Sequence, residues 1–416
     1  YPFTQCNNPF PVSRFRLLVG DVTPEKVLDL MFRRGKALLL EVALYDVELS
    51  DPYWGCPYLA IDKVRHLYNY QGDNGRILSA EYLETTLTDI DLRILIQEYN
   101  FRMEVITCAY ARYGQLPKPL IHTVESYYIL KTKLKNVEGQ EILYTKSKNK
   151  LNSVYGMSAQ NPVKADIKYK GPGSYELEDV NILDKLAAYH KRAFFPYQWG
   201  VWTTANARAN LEEGIRLVHE TPGAEFIYCD TDSVKYTGDV DWSVINERRI
   251  AMSEESESYA DDPSGIRHYM GVYEHEGDYQ EFATLGAKKY AYRDEKGELH
   301  ITIAGVNKLK GAPELEKAGG LEAFLRPADP DDPEVFVFQE GGGTMIKYND
   351  RIREWREMED HKKVFLTPCA TISDSTKTLS VTKEYYDLIM DPDEILEYLE
   401  DDKKIKQFMV DKYGDM

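Results

Sequence analysis

The sequence predicts an α+β protein of more than one domain, and three observations predict it. Apolar residues recur at helical spacing in several segments, as at Ile90, Ile94, Leu95 and Tyr99. Runs rich in β-friendly residues, at 36–45 and 284–306, read as strands. Between Phe226 and Tyr236, two apolar runs flank the turn-prone set Asp-Thr-Asp-Ser, which reads as an antiparallel hairpin. A chain of 416 residues has room for two or three domains with cores of their own.

Taken in order, residues 36–45 alternate loosely and predict a strand. The period over 89–101 predicts a helix opened by Thr88 or Asp89 as cap. Segments 122–135 and 141–155 read as two antiparallel helices joined by 136–140. The stretch around Gly171-Pro172-Gly173 reads as loop, and 203–219, rich in Ala, Leu and Arg, as helix. Thr221-Pro222-Gly223 breaks the chain before a strand at 225–228. Residues 284–306 predict two or three strands with Glu295-Lys296-Gly297 as a turn. A strand at 378–382 and a terminal helix from about Pro392 close the chain.

Composition excludes some classes. The longest apolar stretch, Ala37 to Leu44, is broken by Glu41 and is far too short to span a membrane. Five scattered cysteines (Cys6, Cys56, Cys108, Cys229, Cys369) form no C-x-x-C pair, which argues against a disulfide framework or zinc site and fits a reducing cytoplasm. No G-x-x-x-x-G-K-[ST] loop and no H-E-x-x-H occur, which disfavours an NTPase or a zinc hydrolase. The net charge of −18 is unlike that of a simple DNA binder, yet the chain is polarised. Six lysines and two acids lie between Lys131 and Lys150, while acid gathers at 254–262, 329–334 and 391–402.

Asp230 and Asp232 stand two apart, so in an extended segment they face one way. Two carboxylates held together call for a cation, and a hard divalent ion suits them. A lone Asp-x-Asp in so acidic a chain is first of all a solvated surface turn, so its meaning depends on its company. Lys148, Asn152 and Tyr155 fall at i, i+4 and i+7 of a helix, one face. A cation, an amide and an aromatic ring on one face suit a nucleotide better than a core.

Lys148-x-x-x-Asn152-Ser153-x-Tyr155-Gly156, followed by Tyr228-x-Asp230-Thr231-Asp232-Ser233, resembles motifs B and C of family B DNA polymerases. Lys288-Lys289-Tyr290 then resembles that family's Lys-x-Tyr motif, in the expected order. Finer features are similar to the protein-primed bacteriophage subgroup, the phi-twenty-nine type. Tyr1-Pro2 resembles the end of motif A, and 88–99 the helix after the subgroup's first insertion. Asn161-Pro162, Gly200-Val201-Trp202 and Ala304-Gly305-Val306-Asn307-Lys308 carry further resemblance, which weakens after about residue 310.

The resemblance implies a right-hand polymerase with an antiparallel palm, helical fingers and a small thumb. Its parts would be palm with a priming-protein insertion at 1–120, fingers at 121–162, a second insertion at 163–198, palm at 199–305, and thumb with an acidic extension at 306–416. It implies two-metal phosphoryl transfer: a primer 3′-hydroxyl attacks the α-phosphate of a deoxynucleotide between two Mg²⁺ ions roughly 3.5–4 Å apart, with Mn²⁺ a possible substitute. Asp232 would bridge the metals, with Asp230 a weaker ligand. Lys148 and Lys133 would meet the triphosphate, Asn152 and Tyr155 would shape the base-pair pocket, and Tyr1 would reject a 2′-hydroxyl. Ser153, Gly156, Tyr228, Lys288, Tyr290 and Lys308 would contact DNA. The implied partners are primer-template DNA, deoxynucleoside triphosphates and a priming terminal protein, in the cytoplasm of a bacterial host and with no membrane.

On this resemblance the motif A aspartate would lie five residues before Tyr1, so residues 1–416 are expected to be part of a longer enzyme and poorly active alone. Asp46-Val47-Glu48 mimics an exonuclease motif in the wrong order and is expected to be a surface strand end. The alternative expectation is a catalytically impaired DNA clamp. The insertions, including residues 16–87, are expected to be irregular and turn-rich.

Overall fold

The computed structural model describes residues 1–73, 75–160, 166–171, 174–178, 181–192 and 195–325, and four strands beyond. The expected terminal helix, the acidic segments 329–334 and 391–402, Asn161-Pro162, Cys369 and residues 379–382 lie outside the described residues. Among the described residues no helix is long and apolar enough to cross a membrane. The described residues divide into two compact units, one formed by those of 1–160 and 195–274, the other by those of 166–192 and from 275 onward.

The first unit is organised by a six-stranded antiparallel sheet. Its strands are β1 (Phe10–Pro11), β2 (Arg16–Leu17), β3 (Lys36–Leu49), β4 (Val64–Asp73), β5 (Arg76–Thr88) and β6 (Tyr99–Gly114), in the order β1-β6-β3-β5-β4, with β2 also pairing β6. Leu38, Leu40, Val42 and Leu44 alternate along β3 and are completely buried, so one face of the sheet is core. Each such aliphatic side chain contributes about 2 kcal/mol relative to exposure. After two short helices, α1 (Pro2–Asn7) and α2 (Pro24–Leu28), comes α3 (Asp89–Glu98), whose Leu92 and Leu95 pack against the β3 side chains with Leu211 and Ile215 of a long helix, Tyr197–Glu220.

Residues 16–87 are therefore not irregular, and the expectation for them is corrected. Sequence patterning hides β4 because it is an edge strand, largely exposed and carrying His66 and Asn69 at φ 50° and 42° beside breaks in its register. A bulge shifts every later side chain to the other face, which erases the period of two. Asp46 is similar: it sits at φ 51° in a bulge of β3, exposed and paired with Arg102 at 2.8 Å, while Val47 is buried.

Thr88 caps α3 as expected, and Asp91 reciprocates to the Thr88 N–H in a capping box. The helical hairpin is α4 (Lys118–Lys133) and α5 (Glu141–Ser158), turned through Asn136 and Gly139 in left-handed conformations. Helix α4 starts before residue 122 because Pro119 is tolerated in a first turn. The long helix also starts earlier than 203, taking in Gly200. A Cβ there would lie 2.9 Å from the Ala159 backbone, so the glycine permits close approach to the end of α5.

The second unit contains a three-stranded meander, Tyr279–Thr284, Lys289–Asp294 and Leu299–Ile303. Gly297 turns the second connection at φ 77°, inside the expected Glu295–Gly297 turn. Ala291, Ile301 and Ile303 bury one face against Leu315 and Phe324 of two short helices, Lys308–Ala318 and Leu321–Leu325. Among the described residues, the rest of the unit holds helix Ile182–Arg192 and three two-stranded pairs.

Candidate active site

The aspartate hairpin pairs Glu225–Asp230 with Ser233–Thr237, closing on the Asp230–Ser233 pair. Only Thr231 and Asp232 form the loop. Thr231 takes φ 60°, and the Asp232 N–H donates to the Asp230 carbonyl at 2.7 Å. The two aspartates are thus brought to one tip by a tight turn, not by strand alternation, which corrects the geometric expectation. Thr231 Oγ1 donates to Asp230 Oδ1 at 2.9 Å, whereas Asp232 is exposed. Phe226, Cys229 and Val234 root the hairpin in the main core, and Tyr228 is buried at its base.

Charges gather in front of this tip. Lys131 of α4 lies within electrostatic reach of Lys135, Lys148, Glu274 and Asp232. Its burial lowers its pKa, and the two lysines add to that. The backbone nitrogen of Tyr1 is buried near the same Asp232. On α5, Lys148 and Asn152 are exposed and Tyr155 half-buried, flanking a buried face of Ser147, Leu151, Val154 and Ser158. The Tyr155 ring stacks on Tyr1 with centroids 4.2 Å apart.

Sequence reasoning passed over two members of this constellation. Lys133 lies beside Asp261, whose carboxyl it helps hold low after Arg267, so Lys131 is the α4 lysine that faces Lys148. The helical period could have separated them, because 131 and 135 share a face and 133 does not. Arg208 of the long helix acts on the Tyr155 hydroxyl, which burial and then Tyr1 push up. Burial opposes the Arg208 charge, but Asp91 outweighs it through contacts at 2.7 and 3.1 Å. Ser153 turns its hydroxyl to the Asn149 carbonyl, and Gly156 is exposed with open space where a side chain would stand.

Beneath the hairpin lies a buried acid pair. Oε1 of Glu98 and Oε1 of Glu212 are both buried with no donor facing them. Two carboxylate oxygens cannot bond to each other unless one carries a proton. Burial pushes both carboxyls up, and for Glu98 the Glu212 charge adds to it. A raised acid keeps its proton in the fold after the unfolded chain has lost it. Its contribution is therefore full below about pH 4.5 and falls as pH rises through the folded value. The midpoint of thermal unfolding is expected to drop between pH 5 and 8.5, with a shallower slope in Glu98→Gln. Equal slopes in the two proteins would remove the pair as the cause. Cys56 and Cys229 adjoin the pair as free thiols hydrogen-bonded at 3.8 Å, a proximity their sequence spacing concealed.

A hard divalent cation fits the hairpin tip. Asp232 offers an exposed carboxylate with no cation in direct contact among the described residues, and Asp230 adds further oxygens. The described residues contain one group of three clustered ligating side chains elsewhere, Asp294, Glu298 and His300. It is a turn: Asp294 Oδ1 accepts the Lys296 and Glu298 N–H groups, and Oδ2 meets His300 at 2.9 Å. Lys288, Tyr290 and Lys308 belong to the second unit. Lys288, at φ 56°, precedes the middle strand of the meander, and its carbonyl accepts the Ala304 N–H. Tyr290 stacks on Phe282 at 5.4 Å, and Lys308 opens a helix capped by Asn307.

No protein-family model and no curated protein matches the sequence. Solved structures do match. Phi29 DNA polymerase complexed with primer-template DNA and incoming nucleotide substrates aligns with a TM-score of 0.57 at 18% identity. The same polymerase complexed with single-stranded DNA aligns with a TM-score of 0.57 at 17% identity. In both, 91% of this chain is covered and 56% of the other, so the chain spans little more than half the length of those structures. Over 91% of its length, this chain has the fold of Phi29 DNA polymerase.

Proposed function

We propose that the chain is the polymerising part of a DNA-directed DNA polymerase that extends a primer 3′-hydroxyl on a template. One observation carries the reading. The Asp232 tip, Lys131, Lys148 and the stacked Tyr1–Tyr155 pair gather within one unit whose elements follow a polymerase fold.

Magnesium held by Asp230 and Asp232 would supply charge stabilisation for the attacking and leaving oxygens. The chain's own residues do the rest. Lys148 and Lys131 neutralise the triphosphate; the burial that disfavours the Lys131 charge strengthens its attraction to an incoming polyanion. The Tyr1–Tyr155 stack gives the nucleotide a rigid floor, which Asp91 and Arg208 hold from behind, and Asn152 orients the base pair. Lys133 assists the phosphates only at longer range. Ser153, Gly156, Tyr228, Lys288, Tyr290 and Lys308 take the DNA contacts. In this reading α4 and α5 are the fingers, the Asp230 hairpin belongs to the palm, and the helix opened by Lys308 begins the thumb. Protein-primed replication of a phage or prophage, in a bacterial cytoplasm and with a terminal protein as partner, is the finer form of the proposal. A catalytically inert clamp is disfavoured because an exposed aspartate within electrostatic reach of Lys131 has no use in DNA holding alone.

The test is primer extension by the longest natural polypeptide containing these residues. Mg²⁺-dependent addition of the nucleotide complementary to the template base is expected. Incorporation that ignores the template base, or none at all, would refute the proposal.

A further inference from the structure

A second concentration of charge lies away from the aspartate hairpin. Residues 12–18, which include β2, run as a strap along the β6 edge of the main sheet, held by the Val12 and Leu18 N–H groups donating to the Arg112 and Cys108 carbonyls. The Arg112 N–H in turn donates to Ser13 Oγ at 2.9 Å. Between strap and sheet is a cleft of about 470 Å³ lined by Arg14, Arg16, Lys36, Arg112 and Tyr110. Trp199 Nε1 donates to the Pro11 carbonyl and Trp202 packs on Phe15, so the strap sits at the start of the long helix. The hairpin packs near Leu211 and Ile215. Thirteen residues of helix from Trp202 to Ile215 separate the two places by about 20 Å at 1.5 Å per residue.

Two facts set this cleft apart from ordinary surface charge. Acids outnumber bases 69 to 51 in the chain, and other surface arginines find them: Arg102 pairs with Asp46, Arg248 with Glu213 and Arg267 with Asp261. No carboxylate among the described residues pairs with any of the four cleft cations. Lys36 and Arg112 are moreover register partners on adjacent strands. Like charges directly opposite across a ladder cost stability unless an anion lies between them. Arg16 is likewise opposite Tyr110, setting a guanidinium beside a half-buried ring.

We propose that this cleft is a second nucleic-acid contact, which grips the phosphates of a single-stranded segment while Tyr110 offers a stacking surface. The inference rests on the polymerase reading for the nature of the polyanion. The chemistry selects the form: guanidinium forks match phosphate oxygens, and basic grooves with interspersed aromatics suit single strands. A volume of small-ligand size admits a nucleotide or two, whereas a duplex would meet only the rim.

The test is fluorescence anisotropy of a labelled single-stranded oligodeoxynucleotide across a salt series, with the full chain. Arg16→Ala/Arg112→Ala is expected to weaken binding about tenfold and to reduce the slope of log affinity against log salt by about 1.4, two contacts at about 0.7 each. Arg248→Ala/Arg267→Ala removes equal charge elsewhere and is expected to change neither quantity. Arg16→Lys/Arg112→Lys, which keeps the charge, should retain the slope. Unchanged affinity and slope in a cleft variant with a wild-type melting temperature overturn the proposal. So does an equal loss for blunt duplex, or an equal loss in the control pair. If the unaltered chain binds no single strand, the inference falls, and primer extension then decides separately whether the polymerase reading falls with it.

Discussion

Replacing Asp232 with alanine is expected to lower Mg²⁺-dependent nucleotide addition by about a thousandfold or more, with primer-template affinity nearly unchanged. Metal-assisted stabilisation of transition-state charge is worth several kcal/mol, and about 4 kcal/mol corresponds to a factor near a thousand. Asp232 is exposed in a two-residue loop, so truncation leaves the fold almost untouched, within about 0.5 kcal/mol. Asp230→Ala should cost less, because Asp230 already spends one oxygen on the Thr231 hydroxyl at 2.9 Å. The measurement is single-turnover incorporation at saturating DNA by the longest natural polypeptide containing these residues, beside binding of the same DNA. An Asp232→Ala protein that incorporates at the normal rate would remove the hairpin from catalysis and return the Asp-Thr-Asp tip to an ordinary turn.

How much of this was legible in the sequence follows from how far apart the cooperating residues lie. Local patterns read well: the Thr88 cap, both helices of the 118–158 hairpin and the strand-turn-strand around Asp230 depend on neighbours within a few positions. The face of Lys148, Asn152 and Tyr155 was readable for the same reason. Strand β4 was not, since register breaks between Arg65 and Tyr68 and between Gln71 and Gly72 destroy its alternation. Nor was the Arg208–Asp91 pair, whose members are 117 residues apart. Neither Cys56 beside Cys229 nor Glu98 beside Glu212 leaves a trace in sequence, because only the packing of the hairpin and long helix on the sheet joins them. Lys131 is a different case, because the helical period alone sets 131 and 135 on one face of α4 and 133 on another.

Asp91 joins fold to site, and Asp91→Ala is expected to destabilise the first unit by about 3 kcal/mol. Its carboxylate is 5% exposed and serves two masters. Oδ2 accepts the Thr88 N–H and hydroxyl at 3.2 and 2.8 Å, closing the capping box of α3, and a lost cap costs about 1 kcal/mol. Oδ1 accepts from Arg208 Nη2 at 2.7 Å. Breaking a buried pair from one side costs about 3–5 kcal/mol, since the partner charge stays behind. Arg208 remains 44% exposed, so water recovers part of that and the total stays near the lower bound. The loss should also show at the site, because an unpaired Arg208 no longer holds the Tyr1–Tyr155 stack: KM for the incoming nucleotide should rise more than kcat falls. Arg208→Ala added to Asp91→Ala should recover stability, as coupled partners do, without recovering KM. Urea unfolding of the three variants checks the first part and steady-state incorporation the second. Strictly additive losses of stability would show that the pair is a surface contact, and an unchanged KM would show that the stack needs no support from behind.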